Sequence, residues 1–203
     1  MREFDHNELV KIECHDCAGC HACCQDMGQS VALTPWDVYM LCDNMGMSFE
    51  ELLGGCIEIH LEEGIVTPNL TMVTKSESAI PACGFLNEQH RCSIHAFRPG
   101  ICRLFPLGRN YYEDKVTYFV LEDACPAEGK SKIKISKWLG IEQIKSYERF
   151  LVAWHNYLKE CRARMMEAPE LAKDINMDIL TRFYNTPYEG DFYEEVFSRM
   201  ESC

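Results

Sequence analysis

The chain has no apolar run approaching the roughly 20 residues needed to cross a bilayer as a helix, and no apolar stretch follows Met1-Arg2-Glu3-Phe4-Asp5-His6. A membrane span and a secretory leader are therefore not expected, and the sequence reads as that of a soluble cytosolic protein. Positive charge is also scarce. Lysine and arginine number 20 against 32 aspartates and glutamates, and the formal net charge of -12 repels phosphate backbones and anionic lipid. Nucleic acid and membranes are thus not expected as partners; basic or neutral ones fit better. There is no convincing internal repeat, no low-complexity segment and no Gly-x-Gly-x-x-Gly loop of the kind that opens a dinucleotide-type site.

What the chain has in excess is cysteine, 13 in 203 residues, with Cys14, Cys17, Cys20, Cys23 and Cys24 close together. In the cytosol thiols stay reduced, and an odd number cannot pair completely, so a disulfide framework explains them less well than metal ligation. A hydrophobic content of 47% supplies a real core, which excludes a metallothionein-like coil. Thiolates are soft donors that select zinc, copper(I) and iron–sulfur clusters. Each Cys-x-x-Cys step lets two sulfurs converge on one centre, and Cys17, Cys20 and Cys23 take that step twice. Cys23 and Cys24 are neighbours whose side chains should diverge, so one of the two is expected to serve a different metal atom.

Four more cysteines, Cys83, Cys92, Cys102 and Cys125, lie downstream. Eight thiolates complete two tetrahedral sites, or a cluster and a second site; four alone hold one cluster and leave four thiols for reaction. The subset Cys14, Cys17, Cys20 and Cys24 has the C-x2-C-x2-C-x3-C spacing of bacterial ferredoxins, but Gln25 stands where they have proline and no second such run exists. A closed zinc site that only stabilises the fold is the plainer competitor. His15 and His21 could replace a thiolate on zinc, although solvent exposure explains both, and His95 is a candidate donor to a metal ligand. Arg91, Arg98, Arg103 and Arg109 face only one acid, Glu88, across residues 87–109. They are read as offsetting thiolate charge, ahead of binding an anionic substrate.

Local patterns predict the frame. Residues 11–25 read as a cysteine loop in which Gly19 gives the backbone freedom to turn. A helix follows, with Thr34 as N-cap, Pro35 in the first turn, Gly46 at the end and Val38, Leu41, Cys42 and Met45 on one face. Cys42 is accordingly read as core. Ser48 and Glu51 form a capping box for a short helix stopping at Gly54-Gly55. Ile57, Ile59 and Leu61 alternate with Glu58, His60 and Glu62, and residues 70–74 are rich in strand formers, predicting a small antiparallel sheet. Residues 111–121 add a hairpin turning near 113–115, and 81–106 should be irregular, held in shape by metal. Tyr147, Phe150, Leu151, Trp154, Leu158 and Cys161 make one helical stripe, and Phe192, Val196 and Met200 another. Cys56, Cys161 and Cys203 receive structural or incidental readings.

The chain resembles the YkgJ family of cysteine-cluster proteins, a zinc- or iron-chelating domain also found in flagellin lysine-N-methylase. The likeness rests on Cys17-Ala18-Gly19-Cys20-His21-Ala22-Cys23-Cys24, Leu33-Thr34-Pro35-Trp36-Asp37-Val38, Cys83-Gly84-Phe85-Leu86, Arg91-Cys92-Ser93-Ile94-His95, Arg98-Pro99-Gly100-Ile101-Cys102-Arg103-Leu104-Phe105-Pro106 and Cys125-Pro126. It spans roughly residues 11–127, and His95 stands where family members commonly have tyrosine. The resemblance implies metal or iron–sulfur binding through Cys17, Cys20, Cys23, Cys24, Cys83, Cys92, Cys102 and Cys125. The resulting expectation is an α+β fold with a small antiparallel sheet, irregular cysteine loops in a metal-binding domain over 1–130, and a helical C-terminal appendage over 131–203. Its leading function is an iron–sulfur protein, with a 4Fe-4S cluster tuned by Arg98 and Arg103 and a redox or protein partner not specified. The alternatives are a zinc-binding structural or interaction module and, below it, a lysine N-methylase-like modifier.

Overall fold

Val10 and Ile12 alternate with the more exposed Leu9, Lys11 and Glu13 and turn inward from strand β1 (Leu9–Glu13). The expected cysteine loop thus begins later than predicted, because Lys11, Ile12 and Glu13 are already strand. The computed structural model describes residues 2–14, 21–74 and 80–201. His15, Cys17, Gly19, Cys20 and Cys203, with the roles expected of them, lie outside the described residues.

Helix α1 (Pro35–Met45) starts and stops where its end signals predict. Thr34 Oγ1 accepts from the Asp37 amide, the Asp37 carboxylate accepts from the Thr34 amide at 2.7 Å, and Gly46 takes the left-handed conformation that ends the helix. The Ser48 and Glu51 pair does the same for α2 (Phe49–Leu53). Strand β2 (Ile57–Glu62) pairs antiparallel with β3 (Ile65–Leu70) through a two-residue turn in which Glu63 and Gly64 both have positive φ, a geometry that matches strand twist. The partner of β2 is therefore β3 rather than residues 70–74.

The alternation in β2 locates the strand but not its burial, since Leu61 is 68% exposed and Ile59 is also exposed. β3 is the inner strand, bonded on its other side by Leu33, whose amide donates to the Pro68 carbonyl, and by Val31, whose carbonyl accepts from Leu70. β2 lies outside it, so Ile59 and Leu61, on the same face as the buried Ile57, are left to solvent.

Two short strands follow, β4 (Met72–Val73) paired with β5 (Ala82–Cys83). Residues 81–106 are less irregular than expected, because they include a 3₁₀ turn, His95–Phe97, and helix α3 (Gly100–Leu104). The predicted hairpin is present as β6 (Leu107–Tyr111) and β7 (Val116–Val120), with the Tyr112 amide donating to the Lys115 carbonyl across the turn. Strand β8 (Ser131–Lys134) returns to pair with β1, and α4 (Ile135–Leu139) follows directly. The described strands thus form two-stranded antiparallel sheets, mixed with helices in an α+β fold.

The helical C-terminal region comprises α5 (Ile144–Glu167), α6 (Ala172–Ile179), a π-helical turn (Leu180–Asn185) and α7 (Phe192–Glu201). The α5 stripe buries Tyr147, Phe150, Leu151, Trp154 and Cys161 in a core shared with Val10, Leu41, Leu104 and Tyr118. Tyr118 of β7 donates its hydroxyl to Glu148 of α5 at 2.8 Å, so a buried polar group also ties the two. Cys42 packs against the same core, as read from sequence. No helix among the described residues is long and apolar enough to cross a membrane.

Candidate metal centre

Two backbone connections bring the separate cysteine segments together. Gln25 forms an isolated antiparallel bridge with Ala82, and the Asp26 amide donates to the Pro81 carbonyl at 2.8 Å, setting Cys24 beside β5 and its Cys83. Leu86 bridges Cys92 around a tight loop whose Asn87 Oδ1 accepts from the Gln89 and Arg91 amides at 3.1 and 2.9 Å, an Asx-type turn. Helix α3 delivers Cys102. Its first amide, on Gly100, donates to the buried Asp37 Oδ1 at 2.6 Å, and a Cβ at Gly100 would overlap Tyr147 Oη. Asp37 thus caps α1 and holds α3. Burial raises its pKa, against the hydrogen bonds from Gly100 and Thr34.

Cys23, Cys24, Cys83, Cys92 and Cys102 line one cavity of about 280 Å³. The rest of its wall is largely apolar, with Val31, Leu70, Ile101, Phe105, Leu107 and Trp138. Cys125 is buried but does not line this cavity; its carbonyl accepts from Lys130 Nζ at 2.8 Å.

Each thiol has a distinct environment. Cys23 and Cys24, expected to diverge, instead share a side-chain hydrogen bond, as residues of the 3₁₀ turn Ala22–Cys24. Donation from Cys24 brings Cys23 down to about 7 against its burial, helped by the Arg98 charge, and the same bond with burial raises Cys24. Burial lifts Cys83, Cys92 and Cys102, and each also feels the other two or Cys23 as like charges. For Cys83 and Cys92 the opposing influence is an amide two residues on, Phe85 and Ile94 respectively, donating to sulfur. That repeated arrangement supplies the hydrogen bonds a metal-bound thiolate takes from its surroundings.

The arginines divide by role. Arg98 Nη1 lies 2.6 Å from a ring nitrogen of His95 and donates to the His95 carbonyl at 3.0 Å, while its charge favours the thiolates of Cys23 and Cys92. Arg91 also lines the cavity. Arg103 is only 7% exposed and directs its donors to the carbonyls of Ala96, Arg98, Leu139 and Gly140, which fastens α3 to α4. Arg109 lies over the Tyr111 ring and bonds Tyr147, away from the cavity lining.

Sequence reasoning missed the second role of Asp37, for which the Thr34-x-x-Asp37 box was the available signal. It also missed the stacked imidazoles of His21 and His90, 4.4 Å apart, and nothing in their spacing marks that contact.

The donor set fits a thiophilic metal: five sulfurs on one cavity, amides on two of them, and a buried His21 Nδ1 with no hydrogen-bond partner among the described residues. No three His, Cys, Asp or Glu side chains among the described residues are grouped closely enough to hold one ion. No curated protein and no solved structure matches the chain. The CxxCxxCC family, whose description reads "Putative zinc- or iron-chelating domain", matches residues 16–126. With more than half of its length matched, this metal-binding chain belongs to the CxxCxxCC family.

Proposed function

We propose that the protein is an iron–sulfur protein working in redox or cluster-dependent chemistry in the cytoplasm. A 4Fe-4S centre would be held by thiolates drawn from Cys17, Cys20, Cys23, Cys24, Cys83, Cys92, Cys102 and Cys125. The carrying observation is that five of these thiols line one cavity, one more than a single tetrahedral ion accepts. A bound cluster supplies one-electron transfer at thiolate-ligated iron. The chain's own contribution is electrostatic. Arg98 offsets negative charge at Cys23 and Cys92, while the Phe85 and Ile94 amides donate to Cys83 and Cys92. Arg103 acts through position, by fixing the helix that carries Cys102. In this division residues 1–130 supply the ligands and 131–203 the helices packed behind them.

A zinc-binding structural module is the second reading, favoured by His21, which lines the cavity and whose Nδ1, without a partner among the described residues, would complete a mixed nitrogen and sulfur set. Metal and acid-labile sulfide, measured on protein purified without oxygen, separate the two. Iron with matching sulfide and a visible absorption band bleached by dithionite is the expected result. Zinc without sulfide and a featureless spectrum would overturn the cluster reading in favour of the second.

A further inference from the structure

The thiols account for only part of the cavity wall. Most of the remaining lining is apolar, and Val31, Leu70 and Leu107 in it are nearly inaccessible to solvent. Such a wall contributes nothing to metal ligation and gains free energy when it covers apolar surface.

The polar part of the wall has one sign. His21, His90, Arg91, His95 and Arg98 line the cavity, and none of the lining residues among those described is aspartate or glutamate, in a chain with 32 of them. These five are half-buried or exposed, so the basic groups lie toward solvent and the aliphatic ones inward. Arg98 is engaged by His95 and the thiols. Arg91, whose charge also favours the Cys92 thiolate, lines the same cavity as the stacked His21 and His90, and the buried Nδ1 of His21 has no partner among the described residues. A buried polar atom of this kind calls for a group to pair with it.

We propose that this cavity binds a small amphipathic carboxylate, its apolar tail against Val31, Leu70, Leu107 and Trp138 and its head at His21, His90 and Arg91. The inference rests on the metal reading in one respect: the carboxylate is the substrate or effector class of the same cysteine centre. Charge compensation of thiolates accounts for the arginines but not for the stacked histidines or the aliphatic wall, whereas an amphipathic anion engages both.

Isothermal titration calorimetry on full-length, metal-loaded protein tests this, with octanoate, acetate and octyltrimethylammonium as probes. Octanoate should bind at one site, at least tenfold more tightly than acetate, which lacks the tail, and than the cation, which has the wrong sign. Leu121→Trp, which fills the cavity from the end of β7, should weaken octanoate binding at least tenfold with metal content unchanged. Leu86→Trp narrows it from another segment and serves if the first variant does not fold. Arg91→Gln should weaken octanoate and acetate alike and should not weaken the cation. Absence of octanoate binding in a metal-loaded sample, or equal binding of the cation, overturns the proposal while leaving the metal reading intact. A sample that takes octanoate but carries no metal does the reverse, supporting the chamber and sinking the metal centre.

Discussion

Gly100 has no room for a side chain. Tyr147 Oη fills the position of a Cβ, Asp37 lies against it, and its own amide is spent on Asp37 Oδ1. In Gly100→Ala either the tyrosine or the helix must move, and overpacking of this kind destabilises by about 1–3 kcal/mol. We expect a loss of that size in urea unfolding, accompanied by weaker metal retention, because Cys102 lies two residues further along the same helix. A variant that unfolds earlier yet keeps its full metal content would show that the helix start and the thiol are independent. The glycine and the arginines around it are visible in the sequence, but not what they touch. Tyr147 and Asp37 are far from Gly100 along the chain, and no local pattern announces that the three meet.

Among the elements, those with end signals or a sustained period were legible, and short ones with neither were not. α1 and α2 carry their caps in the sequence, and the β6 and β7 hairpin was evident from strand formers on both sides of a polar turn, although β6 begins at Leu107. β2 could be located but not oriented, since which half of an alternating strand is covered depends on its neighbours. α3 escaped because five residues between prolines are too few to display a period. What stabilises α3 is Arg103, fixed by carbonyls from residues before the helix and from the end of α4. Arg103→Ala leaves those buried acceptors unmet and should cost about 2–4 kcal/mol in chemical denaturation. Arg98→Ala, which removes a half-buried charge beside the thiols, should cost less than about 1.5 kcal/mol and act mainly on metal affinity. Equal losses of stability in the two variants would contradict this division.

At the scale of the whole molecule, cysteine spacing marked candidate ligands, of which Cys23, Cys24, Cys83, Cys92 and Cys102 meet at one cavity; the cavity itself was not legible, because its wall is gathered from segments between His21 and Trp138. Metal that binds only the folded chain stabilises it by linkage. Stripping it with a chelator under reducing conditions should lower the thermal midpoint by at least about 10 °C. Helical and aromatic circular dichroism should fall in one transition, since α5 shares its core with the N-terminal strands. Two separated transitions would mean that the helices stand by themselves. The wedge formed by Gly100 and Tyr147 also orders events in time. During synthesis every cysteine that lines the cavity leaves the ribosome before the tyrosine that braces α3. The nascent chain therefore holds these soft, oxidisable thiols in the open, unbraced, until the first turn of α5 has emerged behind them.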